Sequence, residues 1–69
     1  MSNELWVICE AKENIITKAS CGLLTAAKRL ASEKGIVVAA IVMSQLDGEE
    51  IQKLREFGAE KIYIYAKRE

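Results

Sequence analysis

From Ile36 to Met43 the chain runs through eight apolar residues in a row, Ile-Val-Val-Ala-Ala-Ile-Val-Met, with Gly35 in front and Ser44-Gln45 behind. A half-buried strand alternates apolar with polar side chains. This run has no polar position, so both of its faces must be covered, and it reads as the central strand of a parallel sheet. Two shorter strand-like runs flank it. In Leu5–Cys9 both faces are apolar, with Leu5, Val7 and Cys9 on one and Trp6 and Ile8 on the other; Lys61–Tyr65 alternates aliphatic with aromatic residues. Each is separated from the central run by a segment of helical periodicity, so the pattern predicts an α/β fold with a three-stranded parallel sheet and βαβαβ topology.

The first helix is predicted to start with Thr17 as its N-cap and to run to Lys34, with Gly35 supplying the left-handed stop before the turn into the central strand. Leu23, Leu24, Ala27, Leu30 and Ala31 form its apolar stripe, and Lys18, Thr25, Lys28, Arg29, Ser32 and Glu33 face away. Asp47-Gly48-Glu49-Glu50 reads as a D-x-x-E capping box opening the second helix, with acidic residues where the macrodipole favours them. Capping explains Glu49 and Glu50 better than acid/base chemistry. This helix continues through Ile51, Leu54 and Phe57 and stops at Gly58, and Lys53 sits four residues after Glu49 as a surface partner.

Parallel strands joined by helices use right-handed crossovers, so strands laid down in chain order place both helices on one face of the sheet. The opposite face is then bare, carrying alternate apolar residues from all three strands. Laying the last strand beside the first instead would give one helix to each face and leave both half covered. A soluble monomer rarely exposes such a patch. The expectation is that a partner subunit, a second copy or further polypeptide covers it, and that residues 1–69 are a single, incomplete α/β domain.

Length sharpens that expectation, because a chain of 69 residues buries only about 60% of the surface its unfolded form exposes. A hydrophobic share of 51% keeps it globular. No apolar run approaches the ~20 residues of a membrane span. Ten basic residues balance ten acidic ones, and only Lys28-Arg29 and Lys67-Arg68 are adjacent basic pairs, so neither nucleic acid nor an acidic membrane surface is favoured. Met1-Ser2-Asn3-Glu4 leads directly into the first strand without a cleavable leader, which makes a cytoplasmic location the default expectation.

Candidate chemistry is sparse. Cys9 in a strand and Cys21 in a helix are too few for a disulfide framework and read as reduced thiols; without His or C-x-x-C spacing, a redox pair or half a metal site is the weaker reading. Trp6 reads as a core or interface residue before a cofactor contact. The turn Glu10–Asn14 carries no glycine and cannot cradle a phosphate as Gly-rich loops do. In an open parallel sheet a ligand would sit beyond the carboxyl ends of the strands, here around Cys9-Glu10-Ala11 and Met43-Ser44, where Glu10 and Ser44 are the polar groups. No catalytic, cofactor-binding or metal-ligating residue is assigned, and an enzyme is the least supported class.

The strand Leu5–Glu10, the helix segment Leu23–Ala31 and the strand containing Val38–Val42 follow in the order and spacing of the alpha subunit of electron-transfer flavoproteins. Phe57-Gly58-Ala59-Glu60-Lys61-Ile62-Tyr63 resembles that family's aromatic-Gly-Ala-acidic-Lys segment leading into its third strand. The resemblance covers essentially this whole chain and only the beginning of a much longer subunit. The Gly-Ala-acidic turn also resembles universal stress proteins. What the family resemblance implies is an electron carrier, an alpha/beta heterodimer whose FAD takes electrons from dehydrogenases and passes them onward. The flavin belongs to the alpha subunit's C-terminal domain, outside this segment, so no cofactor is expected in this chain alone. The implied partners are the beta subunit and, through the parent complex, dehydrogenases; self-association of the segment is a further option. The implied fold is part of a Rossmann-like domain of the class shared by stress proteins and ATP pyrophosphatases. The chain lacks the S-G-G-x-D-S loop of that class's nucleotide binders. The alternative reading is a stand-alone nucleotide-binding module of the stress-protein type that completes its sheet by homodimerising.

Overall fold

The computed structural model describes residues 3–65. Met1, Ser2 and the Lys67-Arg68 pair lie outside the described residues. The elements are β1 (Glu4–Cys9), β2 (Ala11–Lys12), β3 (Ile15–Ile16), α1 (Lys18–Lys34), β4 (Val37–Val42), α2 (Gly48–Glu56) and β5 (Ala59–Ile64). The main sheet has the order β1-β4-β5 with both pairings parallel, so the uniformly apolar run is indeed central and the strands lie in chain order. Among the described residues no helix is long and apolar enough to cross a membrane.

Both helices contribute to one core. Val7 and Cys9 of β1, Val38, Ala40 and Val42 of β4 and Ala59 of β5 form a single buried cluster with Leu24, Ala27 and Ala31 of α1 and Leu54 of α2. These strand residues share one parity, so α1 and α2 pack on the same face of the sheet. Leu24 and Leu54 are fully buried. Burial of each such side chain stabilises the fold by about 1.5–3 kcal/mol.

The caps of α1 are as the sequence predicts. Thr17 is extended at φ −70° and ψ 154° and its hydroxyl oxygen accepts from the Ser20 amide, while Gly35 stops the helix at φ 70°. The stripe is shifted, however. Its buried positions are Ser20, Leu24, Ala27 and Ala31, and Leu23 and Leu30 remain 52% and 46% exposed. Among the described residues no strand lies beyond β1, so the flank of α1 that carries these two leucines is left without a described element to pack on.

Three further expectations are corrected. The stretch Glu10–Asn14 is not a plain turn: β2 and β3 pair antiparallel, closed by Glu13 and Asn14 at φ 53° and 65°. Two successive left-handed residues match the twist of a tight hairpin. The capping box at α2 does not form. Asp47 holds the N-cap position but makes no side-chain cap bond, and the Glu50 carboxylate, in place of reaching back to the Asp47 amide, accepts the Ile16 amide at 3.0 Å and ties the hairpin to α2. Lys53 consequently pairs with Glu50 at 3.2 Å and not with Glu49. Finally, β5 begins at Ala59, two residues before the predicted start, and the pairing steps from Val38↔Ala59 to Ala39↔Lys61. The extra residue, Glu60, forms a bulge that sends Ile62 to the helix face and Lys61 and Tyr63 to the other.

Candidate functional site

The face of the sheet opposite the helices is built from Glu4, Trp6 and Ile8 of β1, Ala39 and Ile41 of β4, and Lys61 and Tyr63 of β5, with Met43 and Tyr65 continuing their strands. The register places Trp6 and Lys61 on either side of Ala39, and Ile8 and Tyr63 on either side of Ile41. No element of the described chain lies over them. Trp6 is 63% exposed, and Ile8, Met43 and Tyr65 are also more than half exposed. Ala39 and Ile41 are nevertheless sealed, at 0% and 4%. Larger side chains of the flanking strands shield the floor: Trp6 and Tyr63 reach toward each other with ring centroids 6.2 Å apart and planes tilted by 52°.

One end of this face is polar, which corrects the expectation of a wholly apolar surface. The Glu4 carboxylate accepts from Trp6 Nε1 at 2.8 Å, Lys61 Nζ at 2.8 Å and Tyr63 OH at 3.2 Å. The small side chain of Ala39 lets these groups meet across the central strand. The Lys61 hydrogen bond, followed by that from Trp6, holds the Glu4 carboxyl below the usual carboxylate range. Bonding to Glu4 likewise raises the Lys61 ammonium. The parity of Lys61 with Tyr63 was readable in the sequence; that Glu4 belongs to the same cluster follows from the register of β1 on β4.

A second feature lies at the carboxyl ends of β1 and β4. Ile8, Cys9, Glu10, Ala11, Met43 and Ser44 line an open cleft of about 580 Å³, so the residues named by the topological rule do converge. The hairpin adds Lys12, and the start of α1 adds Thr17. Neither was singled out for this site, since both depend on how residues 10–16 fold back. Much of the local polarity is already engaged. The Glu10 amide donates to Ser20 Oγ at 2.8 Å, its carbonyl accepts from the Thr17 amide, and the Ser20 amide is taken by Thr17 Oγ1.

Cys9 and Cys21 carry free thiols. Burial, helped by neighbouring Cys21, pushes the Cys9 thiol up to about 11, which leaves it protonated and a poor nucleophile near neutrality. Among the described residues no three His, Cys, Asp or Glu side chains gather into a set that could hold a metal ion. No protein-family model matches the chain, and no curated protein matches its sequence significantly.

Proposed function

We propose that this chain is an N-terminal scaffold and interaction segment of an electron-transfer flavoprotein alpha subunit, with no catalytic step of its own. The observation that carries the docking role is the uncovered sheet face, where Trp6, Ile8, Met43 and Tyr65 stay in water although they adjoin a sealed core. Covering four large apolar side chains supplies a hydrophobic driving force for association. The identity of the parent rests on the resemblance of the strand, helix and Phe57–Tyr63 segments. The three-stranded parallel sheet in chain order is compatible with part of a Rossmann-like domain. In this reading the parent shuttles electrons from dehydrogenases through FAD in the cytoplasm, the beta subunit is the partner, and the flavin is held by polypeptide outside this segment.

The test is titration of the chain with an electron-transfer flavoprotein beta subunit, followed through the fluorescence of its one tryptophan. Saturable binding that shields Trp6 supports the role. No change at millimolar subunit removes it. A yellow protein, with flavin absorbance in this chain alone, contradicts the assignment of the cofactor to a different segment.

The cleft formed by Glu10, Lys12, Thr17 and Ser44 favours a second reading, a nucleotide-binding module of the stress-protein type. Calorimetric titration with ATP and AMP discriminates, since absence of heat at millimolar nucleotide eliminates it.

A further inference from the structure

The D-x-x-E pattern at the start of α2 leaves its first residue without a structural role. Asp47 is the chain's one aspartate, and the residue after it is a glycine. Both are exposed. At an ordinary N-cap the side-chain oxygen is held by the amide two or three residues on. Asp47 makes no such bond, and the Glu50 amide goes to the Asp47 main-chain carbonyl at 3.0 Å. The carboxyl is therefore free to turn back on its own main chain.

Beside it lies a nucleophile with little around it. The Gly48 amide opens α2 and is one of those that a helix start leaves without an intrahelical acceptor. No atom lies within 4 Å of where a Cβ on Gly48 would stand. With no side chain on that residue, nothing obstructs the approach of its nitrogen to Asp47 Cγ.

We propose that Asp47-Gly48 is a site of spontaneous isomerisation to isoaspartate, and that conversion there releases the β2-β3 hairpin from α2. The Gly48 nitrogen attacks Cγ of the protonated Asp47 carboxyl. The N–Cγ bond forms, the carboxyl hydroxyl leaves with the amide proton as water, and a succinimide ring results. Water then adds to one of the two ring carbonyls. Cleavage of the bond from nitrogen to Cγ restores aspartate; cleavage of the bond from nitrogen to the main-chain carbonyl carbon leaves the chain running through Cβ and Cγ, with a free α-carboxylate. Nothing is oxidised or reduced, and water is the sole co-reactant.

The fold sets both the rate and the consequence. Asp47 stands at ψ 162°, which turns the Gly48 nitrogen away from the position ring closure needs, so the first turn of α2 opens before the reaction. Opening gives up the bonds from the Glu50 and Ile51 amides to the Asp47 carbonyl, and terminal helical turns fray readily. Isoaspartate inserts a carbon between Asp47 Cα and Gly48 and moves the carbonyl on which that turn is built. Glu50, three residues on, is displaced with it, and Glu50 Oε1 is the atom that holds the Ile16 amide at 3.0 Å. Asn14 and Asn3 are poorer sites for the same ring closure. The β-branched Ile15 crowds the nitrogen after Asn14, and Asn3 is followed by Glu4, not glycine.

The inference is independent of the docking role and of the electron-carrier assignment. It is tested by incubating the 69-residue chain at neutral pH and body temperature for several weeks, beside an unstructured peptide of residues 45–51. Electron-transfer fragmentation locates isoaspartate, and methyl transfer from S-adenosylmethionine by an isoaspartyl O-methyltransferase counts it. The expected result is isoaspartate at Asp47 and not at Asn3 or Asn14, forming about tenfold more slowly than in the peptide because the turn has to open first. Gly48→Ala, which has room for its Cβ, should slow conversion by about tenfold or more, and Asp47→Glu should abolish it. Circular dichroism checks that both variants fold. In the separated isoaspartyl form, the Ile16 amide should exchange markedly faster while α1 amides keep their protection. A chain that stays aspartyl while the peptide converts, an unchanged rate in Gly48→Ala, or an isoaspartyl form whose Ile16 amide stays protected overturns the proposal.

Discussion

The Glu4 carboxylate and the Lys61 ammonium, 57 residues apart in the chain, meet at 2.8 Å above Ala39 and clamp β1 to β5 across the strand between them. The same carboxylate receives the Trp6 indole N–H, so the clamp and the most exposed aromatic of the uncovered face share one acceptor.

That sharing gives stability a readable pH dependence. Glu4 has a lower pKa folded than unfolded, so its contribution is present above the ordinary carboxylate pKa of about 4.3 and is lost as pH falls through the depressed folded value. Lys61 is raised, so its contribution is present below about pH 10.4 and is lost as pH rises through the elevated folded value. Melting temperature measured against pH should show wild type above Glu4→Gln at neutrality and the two converging in acid. Trp6 emission should change in step with the acid limb.

The shifted stripe of α1 separates two adjacent leucines. Leu24 is fully buried, so Leu24→Ala should cost about 2–5 kcal/mol, a large part of the roughly 3–10 kcal/mol available to a chain of this length. Leu23, half exposed on the β1 flank, should cost less than about 1 kcal/mol as Leu23→Ala. Urea denaturation of the two variants checks the contrast.

Gly58 and Gly22 should respond to alanine with opposite signs. Gly58 sits at φ 119° and a Cβ there would lie 2.7 Å from Lys28 Cβ, an atom fixed to the α1 backbone that cannot yield. Gly58→Ala should destabilise by about 1–3 kcal/mol. Gly22 lies inside α1 with open space around it, so Gly22→Ala should stabilise by about 0.5–1 kcal/mol. Thermal melts of both variants read the two signs.

Glu50 acts as the tether of the hairpin. The Ile16 amide, first, and Lys53 hold its carboxyl below the usual range. In Glu50→Ala the Ile16 amide loses its acceptor, and its hydrogen exchange should accelerate markedly while α1 amides keep their protection. Unchanged exchange at Ile16 would show that the β2-β3 pairing holds itself.

How much of this was legible in the sequence depended on the kind of signal. The central strand was readable because eight apolar residues leave no polar face, and the ends of α1 because Thr17 and Gly35 do chemistry local to the chain. The β2-β3 hairpin was not: its turn is Glu13-Asn14, with no glycine to announce positive φ, and its strands are two residues each. Glu50 looked like a cap because capping boxes are local, whereas its actual acceptor role depends on Ile16, brought near only by the tertiary fold. The bulge at Glu60 decides which face receives Lys61 and Tyr63, and bulges leave no mark in periodicity. The carboxyl-end cleft was legible in outline from topology, through Cys9–Ala11 and Met43-Ser44, but its Lys12 and Thr17 walls needed the hairpin.

The central claim is that the sheet face bearing Trp6 is open in the isolated chain and is the surface on which a partner docks. Acrylamide quenching of the single tryptophan tests it most directly, in the chain alone and with an electron-transfer flavoprotein beta subunit added. The account predicts efficient quenching in the folded chain, close to that of the urea-unfolded protein, and strong protection once the subunit is present. A folded, cooperatively melting chain whose Trp6 resists acrylamide by itself, or stays equally quenchable with saturating subunit, contradicts it.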